Sequence, residues 1–238
     1  MKNDRKKPDI TTSLRAAIIN GQFLPNERLI EAELAARFST NRVQIRASLS
    51  KLEGEGLVVS EPNRGARVRL VTAEEALEIT EARAAMETLV VAKAAERATS
   101  KDIARLQDIL RGMKEAIGGG DLLSYSNLNG GLHMELRRIA RHTTATRILS
   151  LLNSQIIRFQ FRAILIPGRA SKSFAEHKAI VDAIRLHNPE KARGAMAAHL
   201  GHVVEALRKA IASQGAQTSF VPEHPGFATT NLPFERRA

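Results

Sequence analysis

Three histidines, His133, His177 and His199, fall inside segments that read as amphipathic helices, and imidazole is a good donor to a divalent ion near neutral pH. A lone histidine on such a face is more often a hydrogen-bonded core residue, so spacing leaves both readings open. The second group of residues with chemistry is basic. Between 36 and 70 stand Arg37, Arg42, Arg46, Lys51, Arg64, Arg67 and Arg69 against Glu53, Glu55 and Glu61, a net of +4 in 35 residues. That density is what phosphate neutralisation requires, and the net charge of +11 for the whole chain suits a polyanionic partner. No cysteine occurs in 238 residues, which excludes disulfides, thiolate metal sites and cysteine catalysis and fits a reducing compartment.

The elements that would position these groups can be read from periodicity and caps. Thr11 and Thr12 offer caps for a first helix with Leu14, Ile18 and Ile19 on one face, ended by Asn20-Gly21. Ile30, Leu34 and Phe38 repeat the pattern, and Ser39-Thr40-Asn41 forms a polar turn. A third helix runs from Arg42 to about Glu53, turning Ile45, Leu49 and Leu52 inward and leaving Arg42, Gln44, Arg46 and Ser48 outside. The β-prone runs 57–60 and 66–70 flank a turn and predict a hairpin. Helix, helix, turn, helix and hairpin is the order of a winged helix-turn-helix.

Past Leu70 only helical periodicity remains, which places a domain boundary at about Val71. Thr72 with Glu75 predicts a capping box opening a helix to about Ala98, and Ser100 a cap for the next, which Gly118-Gly119-Gly120 breaks. Further helices are predicted over 122–140, 144–165, 173–187 and 189–213. The expected fold is mainly α: a winged helix-turn-helix over 1–71, an all-α antiparallel bundle over 72–213, and a mobile tail over 214–238. The amino terminus has charge without an apolar run, and no stretch approaches the ~18 apolar residues that span a bilayer. Neither export nor membrane insertion is expected, and the predicted location is cytoplasmic.

A recognition helix enters the major groove by its first turns, so Arg42, Val43, Gln44 and Arg46 form the expected reading head. Arginine pairs with guanine, glutamine with adenine, and valine can touch a thymine methyl. Gly65 at the hairpin tip permits close backbone approach, and Arg64 and Arg67 beside it are placed to grip phosphate or enter the minor groove.

Residues 14–25, 28–35 and 52–58 resemble the GntR family of regulators across nearly all of 11–70. The chain departs from the family pattern in having Pro25-Asn26 for Pro-Gly, and Val43-Gln44 where Thr-Pro is usual. Residues 129–133, 176–184 and 192–200 are similar to the FadR-type ligand-binding domain called FCD, a likeness running from about Ala73 to Leu207. The resemblance implies a divalent metal held by His133, His177 and His199 together with the position four residues before the first histidine. That position is Asn129 here, a neutral ligand in place of the usual acid. Imidazoles and an amide oxygen suit zinc or nickel, and the lost carboxylate leaves the site one charge more positive. A small organic acid is then the expected effector, with Arg83 as a second anchor and His202 beside the site.

The resulting expectation is a ligand-responsive repressor, not an enzyme, that binds a palindromic operator as a homodimer. Two alternatives stand beside it. One keeps the regulator with a metal-free effector site; the other is a metal-dependent enzyme with Glu176 as base, which leaves the first 70 residues without a role. Gly130-Gly131, costly inside a helix, reads as room for a ligand or as a kink.

Overall fold

A computed structural model of the chain describes residues 9–61 and 65–214. Arg64 and the tail expected beyond Gln214 lie outside those residues. The first helix, α1, spans Ile10–Ile19 with Asp9 at its N-cap, two residues ahead of the first of the threonines expected to cap it. Thr11 is instead buried, its hydroxyl donating to Ser48 Oγ at 3.0 Å. Ser48 therefore faces inward, contrary to expectation, because two hydroxyls that satisfy one another can be buried at little cost. Gly21 then turns the chain at φ +78°, where a side chain would be strained.

Helices α2 (Glu31–Arg37) and α3 (Arg42–Gly54) follow. Strands β2 (Val58–Glu61) and β3 (Gly65–Val68) form the predicted antiparallel hairpin. A two-residue strand that the sequence did not signal, β1 (Arg28–Leu29), adds to the other edge of β3, giving the order β1-β3-β2. One core closes this head, with Leu14, Leu29, Ile45, Leu52 and Val58 almost without exposure. Each such side chain stabilises by about 1.5–3 kcal/mol.

Helix α4 (Ala73–Arg97) opens where expected, its cap Thr72 accepting from the Glu75 backbone at 3.1 Å. Glu75 does not return the bond as a capping box requires, because its carboxylate takes Arg69 instead. The box belongs to the next helix, α5 (Ser100–Gly118), where Thr99 rather than Ser100 is the cap and Asp102 reciprocates. Helices α6 (Leu122–Ala140), α7 (Thr143–Ile164), α8 (Arg169–Arg185) and α9 (Pro189–Gln214) complete the bundle. α8 begins four residues earlier than periodicity suggested, since Gly168 at φ +75° turns the chain and Arg169, Ala170 and Ser173 are already buried. α4 lies at the centre, packed by α6, α7, α8 and α9. The bundle core, which includes Val90, Leu106, Tyr125, Leu136, Ile180 and Met196, is separate from that of the head.

Candidate functional site

The first candidate surface is built by α3. Asn41 caps it, its side-chain oxygen accepting from the Gln44 backbone N–H at 2.9 Å. Ile45, Leu49 and Leu52 pin the inner face, which forces Arg42, Val43, Gln44 and Arg46 to the outside together. Val43 is 76% exposed, an apolar group held in solvent by the register of the helix alone. Gln44 is steadied by the Thr40 hydroxyl. Arg46 is steadied by Glu31 on α2, which takes its Nε and Nη2 at 2.8 and 2.7 Å, and this pairing holds the Glu31 carboxyl below its usual range.

The hairpin is less open. Gly65, paired with Glu61 at the start of β3, takes φ +84°, and an added Cβ would stand 3.4 Å from the Leu29 carbonyl. Arg67 is engaged within the head: its Nε donates to Glu61 at 2.6 Å and its Nη1 to the Asn26 carbonyl at 3.1 Å. Two of its three nitrogens are thus committed, and the side chain is about one third exposed.

The second candidate site lies inside the bundle. His133 on α6, His177 on α8 and His199 on α9 come together from three helices, all buried, with one ring nitrogen of each lying within 4.8 Å of the others. The three rings share one arrangement. Each Nδ1 points to an outer partner: His133 to Glu87 at 3.3 Å, His177 to the Ser173 hydroxyl at 3.4 Å and His199 to Glu176 at 2.7 Å. Each Nε2 is thereby left for the interior, and those of His133 and His177 face one another at 3.3 Å. Two imidazole nitrogens at about 2.0–2.1 Å from one tetrahedral zinc stand roughly 3.3 Å apart, so the pair fits an edge of such a site. Burial pushes His177 well below its ordinary value and brings His199 to about 4, the Glu176 hydrogen bond pulling the other way. Both rings are neutral at pH 7 and keep their lone pairs.

The outer carboxylates were not singled out as a set from the sequence. Glu176 is shared by His199, by His202 at 2.9 Å and by Arg169, which donates at 3.1 and 2.9 Å. Burial raises its pKa, but His199 and Arg169 outweigh that and hold it below the usual range. Glu87 is fully buried on α4. Burial raises it, yet His133, Arg83 and Arg137 together bring it to about 2. Arg83, expected to reach an effector, lies 3.6 Å from Glu87, and Arg137 lies 3.7 Å from the same oxygen. Those distances exceed a hydrogen bond, and Arg83 Nε, Arg137 Nη1 and Glu87 Oε1 are buried without a partner. Asn129 sits half-buried one turn before His133. A Cβ on Gly130 or Gly131 would meet nothing within 4 Å, and α6 runs through both unbroken.

Comparison with known proteins finds two family matches along the chain. Residues 7–68 match the family described as bacterial regulatory proteins, gntR family, and residues 78–202 match the FCD domain. The chain is 28% identical over 196 residues to an uncharacterized HTH-type transcriptional regulator, YdhC, of Bacillus subtilis, covering 82% of this chain and 88% of that one. It is 24% identical, over the same share of its own length and 86% of the other, to the HTH-type transcriptional repressor RspR of Escherichia coli. Among solved structures, a putative GntR regulator from Rhodococcus has a TM-score of 0.68 at 25% identity, covering 84% of this chain and 96% of that one. Escherichia coli McbR/YncC has a TM-score of 0.71 at 20% identity, covering 84% and 95%, a likeness of fold.

Proposed function

The chain belongs to the GntR family of bacterial regulatory proteins, with an FCD domain as its carboxyl bundle, and from that premise we propose a metal-assisted regulator that answers to a small carboxylate. DNA binding and transcriptional regulation, rather than catalysis, are what this family does, and no described helix is long and apolar enough to cross a membrane. In our reading Arg42, Val43, Gln44 and Arg46 meet base edges and phosphates in the major groove. Gly65 brings the hairpin backbone close to the duplex, with Arg64 and Arg67 at the phosphates. Two copies bind a palindromic operator as a homodimer, as two-fold sites require, and repression is the expected mode, as in the relative from Escherichia coli.

The observation that carries the metal reading is the common orientation of the three imidazoles, each Nδ1 tied outward while one nitrogen of each ring lies within 4.8 Å of the others. That outer anchoring is how metal-bound histidines are held and their tautomer fixed. His133, His177 and His199, with the Asn129 amide, would hold zinc or nickel, and the bound ion would supply positive charge and open coordination positions. Arg83 and Arg137, beside Glu87 with Nε and Nη1 buried and unpaired, would take the carboxylate of an effector. His202 acts through Glu176 rather than by touching the ion.

The metal-free alternative also has an observation in its favour. At 3.3 Å the His133 and His177 Nε2 atoms are near enough to share one proton. Thermal unfolding of apo and zinc-loaded protein against a panel of small organic acids separates the two. The proposal expects stabilisation by an acid that grows when zinc is present; an equal shift with and without zinc would favour the metal-free site. Selecting duplexes from a random pool with the same samples tests the regulator, which expects an enriched two-fold sequence whose affinity changes with that acid.

A further inference from the structure

One amide bridges the head and the bundle. Gln155 lies in the middle of α7, and its Nε2 donates to the Glu55 backbone carbonyl at 3.1 Å while its Oε1 accepts from Arg69 Nη1 at 3.0 Å. Glu55 is the C-cap residue of α3, and the final carbonyls of a helix find no partner within it. Gln155 supplies that partner from a helix 100 residues further along the chain. Arg69 follows β3, and its Nη2 reaches Glu75 in the first turn of α4, the helix that carries Arg83 and Glu87. The amide thus ties the end of the reading helix to the start of the helix that supports the histidine cluster.

Local sequence makes the seat. Gly56 takes φ +70°, where a side chain is strained, and a Cβ there would stand 2.6 Å from Gln155 Nε2 and displace the amide from this seat. The two main apolar cores do not merge across the junction, and a cavity of about 170 Å³ opens beside Gln155, lined by Ile18, Leu57, Val71 and Phe159. Where apolar side chains fail to interlock, directional hydrogen bonds decide relative orientation.

We infer that Gln155 is a positioning residue for DNA recognition, a two-sided clasp that sets the angle of the reading helix against the bundle. It rests on the reading above in one respect: the angle matters because two heads must meet one operator.

The chain has no cysteine, so exposed Glu33 on α2 and exposed Lys114 on α5 can be changed to cysteine and spin-labelled uniquely. Pulsed dipolar spectroscopy of the full chain, diluted with unlabelled protein, then reads the spread of head-to-bundle distances. With Gln155 in place the spread is expected to be narrow; Gln155→Met, similar in length but without the amide, widens it about twofold or more. Gln155→Glu keeps an acceptor for Arg69 but cannot donate to Glu55, and widens it less, which preserves the test if the methionine variant unfolds. Equal spreads in the parent and in every folded variant, or a broad spread in the parent, would overturn the inference. The measurement is made with and without zinc, and the clasp predicts widening in both, so failure to bind zinc would strike only the metal reading. As a second readout, Gln155→Met is expected to weaken binding to the selected two-fold duplex about tenfold while leaving random duplex unchanged. Unchanged affinity for the selected duplex, or equal loss on both, would contradict a positioning role.

Discussion

Arg46 in the head and Arg83 in the bundle are both arginines paired with a glutamate, and their surroundings are opposite. The Arg46 side chain is 74% exposed, and its pair with Glu31 is made in water. The Arg83 side chain is 5% exposed and its partner Glu87 is fully buried, with Arg137 and His133 on the same carboxylate. An exposed pair contributes about 0–1 kcal/mol and can be exchanged for a phosphate or a guanine at little cost. A buried group stripped of its partner costs far more, so the bundle network holds its shape while the head surface stays available. The head keeps its charges where a polyanion can reach them, and the bundle keeps its own where they hold imidazoles in one orientation.

Breaking the buried side should give the largest effect. Glu87→Ala leaves Arg83 and Arg137 facing one another in the interior and is expected to destabilise the bundle by about 3–5 kcal/mol. Thermal unfolding should fall accordingly while a spectroscopic signature of the head persists. A loss no larger than that of Glu31→Ala would erase the contrast between the two pairs.

Acid should act on the bundle before the head. His199 is lowered to about 4 by burial, so between its unfolded value near 6.5 and 4 the unfolded chain binds a proton that the folded chain does not. Stability is therefore intact above about pH 6.5, falls as pH drops towards 4, and loses roughly 3 kcal/mol from this one group. Glu87, held at about 2, continues the loss below its ordinary carboxylate value, because the unfolded chain again takes the proton first. Denaturant midpoints of metal-free protein from pH 7 to pH 4 check this; a bundle whose midpoint did not move would contradict the neutral, buried imidazoles.

On the exposed side the effect moves from folding to binding. Arg46→Ala is expected to cost about 1–3 kcal/mol of affinity for the selected duplex and to reduce the salt slope by about one, with stability nearly unchanged. Gel-shift titrations at several salt concentrations, beside a thermal melt, read both quantities, and unaltered affinity would remove Arg46 from the reading head. The smallest change expected is at the cap: Asn41→Ala loses the bond to the Gln44 backbone and about 1 kcal/mol of stability in the head.

How much of this could be read in advance follows the same divide. The head was legible because its signals are local: the Asn41 cap, the apolar spacing of α3 and the turn between two β-prone runs lie where the fold uses them. What escaped was set by partners distant in sequence. Two residues, Arg28 and Leu29, become a strand only because β3 offers an edge, and Ser48 turns inward only because Thr11 meets it. The histidines of the bundle stand out by residue type, and Glu176 stands out only as a base, while Glu87 does not stand out at all. Glu87 interrupts a stripe that is otherwise Ala76, Ile79, Val90 and Ala94, and a charged pair four residues apart on an apolar face was the available sign. In the structure Arg83 stands beside Glu87, a partner its position in the sequence does not announce beyond that spacing.

Elemental analysis of protein purified without chelator, beside the His177→Ala variant, bears most directly on the bundle half of this account. The expected result is about one zinc or nickel ion per chain in the parent and almost none in the variant, with the head folded in both. A folded parent that carries no more metal than the variant, and takes up none when zinc is added, would contradict it.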